Sequence, residues 1–107
     1  MQTFDIKRGH FKNLENNGLE NIMRETLGDV QKEGDKYVAN FGAMKPITVW
    51  LQNKKELCID IVTDKEVSDD VALQTIRAKN EFLKMATGFS SKERSKRLQK
   101  KAKEGKL

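Results

Sequence analysis

Cysteine, histidine, proline and tryptophan are each reduced to a single copy in this sequence: Cys58, His10, Pro46 and Trp50. A lone cysteine forms no intramolecular disulfide. That excludes a stapled secreted scaffold and fits a reducing compartment. One cysteine and one histidine cannot supply the Cys and His set of a structural zinc site. No apolar run approaches the roughly 18 residues of a membrane span. The opening "MQTFDIKRGH" lacks the apolar stretch of a secretory leader. The expectation is a soluble cytoplasmic protein with no membrane partner. At 107 residues the chain is one domain, large enough to bury a core without metal or cross-links.

Catalytic patterns are also scarce. His10 follows a strand end and reads as a surface residue; a Cys–His pair would need it beside Cys58. The acidic run Asp60, Asp64, Glu66, Asp69 and Asp70 does not follow the spacing of a calcium loop, and it leaves at most a weak Mg²⁺ site. "GDVQKEGDK" has one residue too many between its glycines for a phosphate loop. No catalytic, cofactor or metal site stands out, so a binding role is expected ahead of catalysis.

What the sequence does have is localised charge. From Lys92 onward, eight cations face Glu93 and Glu104, which leaves +6 there. The remaining thirteen cations and fourteen acids leave −1 elsewhere. The basic character therefore belongs to the last stretch, and only that stretch argues for an anionic partner.

Periodicity sets the elements. "TFDIKR" alternates as a strand. Leu19, Ile22, Met23 and Leu27 recur at helical spacing, with Asn17 and Glu20 placed for a capping box and Gly28 for a left-handed exit. Four strands follow: "VQK", "YVANF", "ITVWLQ" and "ELCIDIV". Gly34-Asp35, "GAMKP" and "NKK" are their connections. Ser68 starts a second long helix with a stripe of Leu73, Ile76, Asn80 and Leu83, widened by Ala72, Phe82, Met85 and Ala86. Ser90 and Glu93 form a capping box for a last helix, from about Ser91 to Glu104, stopped by Gly105.

These elements define an α+β fold, a single domain β-α-β-β-β-β-α. Its antiparallel five-stranded sheet has strand order 1-5-4-3-2, with the helices on one face and a basic C-terminal helix added. Residues 1–89 are the domain and residues 90–107 the tail. The element order resembles the half-repeat of the TATA-binding-protein fold, a likeness of architecture alone.

Parity assigns the faces of the sheet. Phe4, Ile6, Tyr37, Ala39, Phe41, Ile47, Val49, Leu51, Leu57, Ile59 and Ile61 face the helices. Val38, Asn40, Thr48, Trp50, Gln52, Cys58, Asp60 and Val62 face away. A three-residue "NKK" loop sets Trp50 opposite Cys58. A "GAMKP" loop with Phe41 opposite Ile47 sets Val38 opposite Trp50. Val38, Trp50 and Cys58 then form an apolar row on the open face.

At "FGAMKPITVW" and "ATGFSSKERSKRLQKKAKEG" the chain resembles a small family of archaeal proteins from methanogens, described as a domain of unknown function. The resemblance implies a cytoplasmic protein with one α+β domain and implies no site residues. Two uses remain from the residues themselves. The first is non-specific RNA or DNA binding through Lys92, Arg94, Lys96, Arg97, Lys100, Lys101 and Lys103. The second is a homodimer or partner contact through Val38, Trp50 and Cys58. With only Leu98 and Ala102 as an apolar stripe, the last helix is expected to dock weakly and to fray toward Leu107.

Overall fold

A computed structural model describes the backbone of residues 2–103 and the side chains of residues 2–100. Five strands, β1 (Gln2–Asp5), β2 (Val30–Glu33), β3 (Lys36–Phe41), β4 (Met44–Asn53) and β5 (Glu56–Thr63), form one antiparallel sheet in the order β1-β5-β4-β3-β2. Three helices accompany it: α1 (Gly18–Leu27), α2 (Asp69–Thr87) and α3 (Ser91–Lys103). A 3₁₀ turn at His10–Asn13, unmarked by any periodicity, leads into α1. The expected fold class and strand order are both observed.

The helix-facing set is the core. Ile6, Ala39, Ile47, Val49, Leu57 and Ile59 are buried among Leu19, Met23, Leu27, Phe82, Leu83 and Ala86 of α1 and α2. Phe4, Tyr37, Phe41, Leu51 and Ile61 pack around their margin. The molecule is only 20 Å through its shortest dimension, as one sheet and one helical layer require.

Trp50 pairs with Cys58 as parity demands. The loop between those strands is shorter than "NKK", because the register shifts between Leu51 and Asn53 and Asn53 pairs Glu56. The β3–β4 connection departs further. β4 begins at Met44, so Gly42-Ala43 is the whole turn, with Gly42 at φ +52°. Val38 consequently faces Thr48, two residues away from the expected Trp50. Pro46 lies within β4, where the ladder is irregular between Met44 and Ile47 and its missing N–H is tolerated.

The caps divide similarly. The Ser68 hydroxyl accepts from the Val71 N–H at 3.3 Å, as expected. Asn17 does not cap α1 with its side chain. Asn16 and Asn17 both have positive φ, whereas a side-chain cap needs extended backbone. Glu20 instead takes the Arg24 guanidinium at 3.0 Å. Gly28 has positive φ, but its ψ of −135° is extended rather than left-handed helical.

On α2 the expected stripe holds in its second half, where Phe82, Leu83 and Ala86 are buried, and fails in its first. Leu73 and Ile76 are 49% and 56% exposed, and Asn80 is exposed too. The buried side carries Thr75, Phe82, Leu83, Ala86 and Thr87. Two overlapping apolar stripes run along this helix. The sheet selects the one containing Thr75, whose hydroxyl donates to the Val71 carbonyl at 2.7 Å and accepts from the Ala43 N–H at 3.0 Å.

Candidate functional site on the C-terminal helix

The sequence concentrates its excess of cations on α3, and the structure divides them into two groups. The capping box forms: the Ser90 N–H donates to Glu93 Oε1 at 3.2 Å and the Glu93 N–H to Ser90 Oγ at 3.3 Å. The Ser90 N–H first, and then the Ser90 hydroxyl, hold the Glu93 carboxyl below the ordinary glutamate value. From this start Lys92, Lys96 and Lys100 follow at four-residue steps along one exposed ridge. No acid reaches them within ion-pair distance among the described residues. The side chains of Lys101 and Lys103 lie outside the described residues, as do the expected stop at Gly105 and the fraying toward Leu107.

Arg94 and Arg97 do different work. Arg94 is half-buried and donates to the Phe89 carbonyl at 2.7 Å, to Ser91 Oγ at 3.1 Å and to Asn80 Oδ1 at 3.3 Å. Arg97 donates to Asp5 Oδ2 at 3.0 Å and lies 4.6 Å from the centroid of the Phe89 ring. Both arginines fasten α3 to the body through hydrogen bonds that Lys92, Lys96 and Lys100 do not make among the described residues. Leu98 remains 55% exposed, and the helix is held by polar contacts more than by apolar burial.

Between α3, α2 and the β1 edge lies a cavity of about 700 Å³. Phe4, Leu83, Phe89 and Leu98 give it apolar walls, and Lys79 and Arg94 give it charge. Burial, and then the Arg94 charge, hold the Lys79 ammonium below the ordinary lysine value. Burial lowers Arg94 as well. Sequence reasoning missed Lys79. It sits among solvated lysines on a helix, and only the fold sets it beside Arg94.

The open face is already partly covered. Cys58 is fully buried within one chain. Its thiol donates to Gln52 Oε1 at 3.0 Å and lies 3.6 Å from Thr3 Oγ1. Trp50 is half-buried, with Lys36 Nζ 4.6 Å from its ring centroid. His10 lies on the opposite side of the sheet from Cys58. Its Nε2 contacts the Met85 carbonyl at 2.6 Å and its Nδ1 meets Asn13 Nδ2 at 3.1 Å, so it ties the 3₁₀ turn to α2. With Asn13 as donor, Nε2 carries the proton. Among the described residues no His, Cys, Asp and Glu group is arranged to hold a metal ion.

Together these features define a small α+β domain with a basic helix clamped to one sheet edge. No described helix is long and apolar enough to cross a membrane. The chain belongs to the family described as a domain of unknown function, DUF5611, whose model matches residues 1–100. That match takes in the sheet, α1, α2 and most of α3. No curated protein and no solved structure matches the chain.

Proposed function

We propose that the protein associates with RNA or DNA without sequence preference through the outer ridge of α3. The observation that supports this reading is the row Lys92, Lys96 and Lys100, exposed and with no acid within ion-pair distance among the described residues, while Arg94 and Arg97 hold the helix in place. A lysine row reads phosphate charge and not base edges. Three such contacts on duplex DNA correspond to a slope of log affinity against log salt of about −2.7. Lys101 and Lys103 extend the same helix and would steepen it. The cytoplasmic, archaeal setting implied by the family resemblance belongs to this reading. The likeness to the TATA-binding-protein half-repeat is one of element order and adds no function. The alternative, a homodimer through the open face, would rest on Val38 and Trp50, since Cys58 is covered within one chain.

The test is fluorescence anisotropy with a mixed-sequence duplex and a mixed-sequence RNA at two salt concentrations. The full chain should bind both at low salt, and Lys92→Gln, Lys96→Gln and Lys100→Gln together should weaken binding and flatten the salt slope by about 2.7 without changing the circular dichroism spectrum. No retention at low salt, where phosphate contacts are strongest, would exclude the reading.

A further inference from the structure

We propose that the groove beneath α3 is a binding site for a small amphipathic anion, an acidic head on an apolar body. This site is separate from the outer lysine ridge and does not depend on the nucleic-acid reading. Its volume, about 700 Å³, lies within the range of small-molecule pockets. Its composition is also of that kind: apolar walls with a few convergent polar groups.

The charges in the groove favour an anion. Of its acids, Asp5 is paired with Arg97 at 3.0 Å, and Glu56, which accepts from Asn53 Nδ2 at 2.8 Å and keeps its charge, is outnumbered by Lys79 and Arg94. The Lys79 ammonium has no acceptor within hydrogen-bond distance among the described residues, and it is set near a second cation, Arg94. The three bonds that Arg94 makes leave part of its guanidinium unspent, because that group carries five donors. Two partly desolvated cations lining one groove repel each other, and an anion bound there would relieve that repulsion and supply the missing acceptor. Phe4, Leu83 and Leu98 line the same space. An apolar body seated there would cover Leu98, which the fold itself leaves half exposed.

Decanoate, decyl phosphate and the cation decyltrimethylammonium, three probes with one apolar chain, separate charge recognition from greasy adsorption. Calorimetric titration of the full chain should show one saturable site for decanoate or decyl phosphate. Affinity for the better anion should exceed that for the cation about tenfold, the scale of one charge-assisted contact. The two anions distinguish a carboxylate ligand from a phosphate ligand. Lys79→Met keeps the aliphatic stem and should remove the preference for anions, whereas Lys96→Met, on the outer ridge, should not. Leu98→Glu, at an exposed position that tolerates polarity, should abolish anion binding independently. Equal binding of anion and cation would overturn the proposal. So would anion binding unchanged in Lys79→Met or in Leu98→Glu, or no saturable site at millimolar probe.

Discussion

Arg97 and Asp5 are 92 residues apart in sequence and 3.0 Å apart in space. Their bond joins the last helix to the first strand. The guanidinium also stacks on Phe89, which anchors the short link between α2 and α3. An exposed ion pair contributes at most about 1 kcal/mol, and an exposed cation–aromatic contact about 0.5–1 kcal/mol. Arg97→Ala should therefore leave the global unfolding midpoint almost unchanged while loosening α3. Amide exchange along residues 92–100 should accelerate, and Arg97→Lys should fall between wild type and Ala because it keeps charge without the stacked plane. Unchanged exchange in Arg97→Ala would mean that α3 is held by something else.

The turn Gly42-Ala43 presses on α2 at Thr75. An added Cβ at Gly42 would run into the Thr75 hydroxyl, and φ at this position is +52°. Gly42→Ala should cost at least the roughly 1–2 kcal/mol of a left-handed non-glycine residue, with the collision added. Thr75→Val keeps the shape but leaves the Ala43 N–H without its acceptor, a loss of about 1–3 kcal/mol. Urea denaturation should rank Gly42→Ala and Thr75→Val well below wild type. A Thr75→Val midpoint equal to wild type would show that the Ala43 N–H finds another partner.

Sheet order and faces are legible because alternation in β4 and β5 is clean, and a register error of two residues preserves parity. That is why Val38 stays on the open face although its partner is Thr48 rather than Trp50. The exact turn was hidden because nothing before Pro46 marks Gly42-Ala43 as sufficient. The α2 face was hidden for a different reason. Thr75 reads as a surface residue until its hydroxyl is matched with a backbone N–H 32 positions away. The groove was out of reach for the same reason: Lys79, Arg94 and Phe4 come from three separate elements. In α3, the capping box marked the helix and the charge count its basic character, but neither marked its division into two anchoring arginines and an outer lysine ridge.

Core positions in the sheet and exposed apolar positions on α2 should respond oppositely. Ile59 and Val49 are cross-strand neighbours, both buried. Ile59→Ala should cost about 2–4 kcal/mol through lost burial and a residual cavity. Leu73→Ser and Ile76→Ser, on the exposed side of α2, should each stay within about 0.5 kcal/mol of wild type. Chemical denaturation of the three variants decides it. A large loss in Leu73→Ser would restore the stripe expected from periodicity.

Cys58 should be slow to react. Its thiol is covered by its own strand neighbours and hydrogen-bonded to Gln52. A disulfide exchange reagent should modify the native protein only through local opening of the β1 edge. The rate should rise in mild denaturant and in Thr3→Gly, which uncovers the sulfur. Rapid stoichiometric modification of the native wild type would show that the edge strand is open in solution.

Acid should act on α3 at its first turn. Glu93 has its carboxyl held below the ordinary value of 4.5, first by the Ser90 N–H, then by the Ser90 hydroxyl, with Lys7 and Lys96 adding smaller attractions. The folded helix thus favours the charged carboxylate more than the unfolded chain does. Such a group contributes stability that is present above the unfolded value and is lost as pH falls through the lower folded value. Glu93→Gln can still make both capping bonds but has no charge to lose. In an NMR titration from neutral pH downward, the Ser90 amide should shift with a midpoint below 4.5 in wild type and show no such titration in Glu93→Gln. Amide exchange in the first turn of α3 should rise on the same limb in wild type alone. If both proteins loosen identically, the capping carboxylate is not what anchors the helix, and the Arg94 bonds to Phe89 and Asn80 must carry that role.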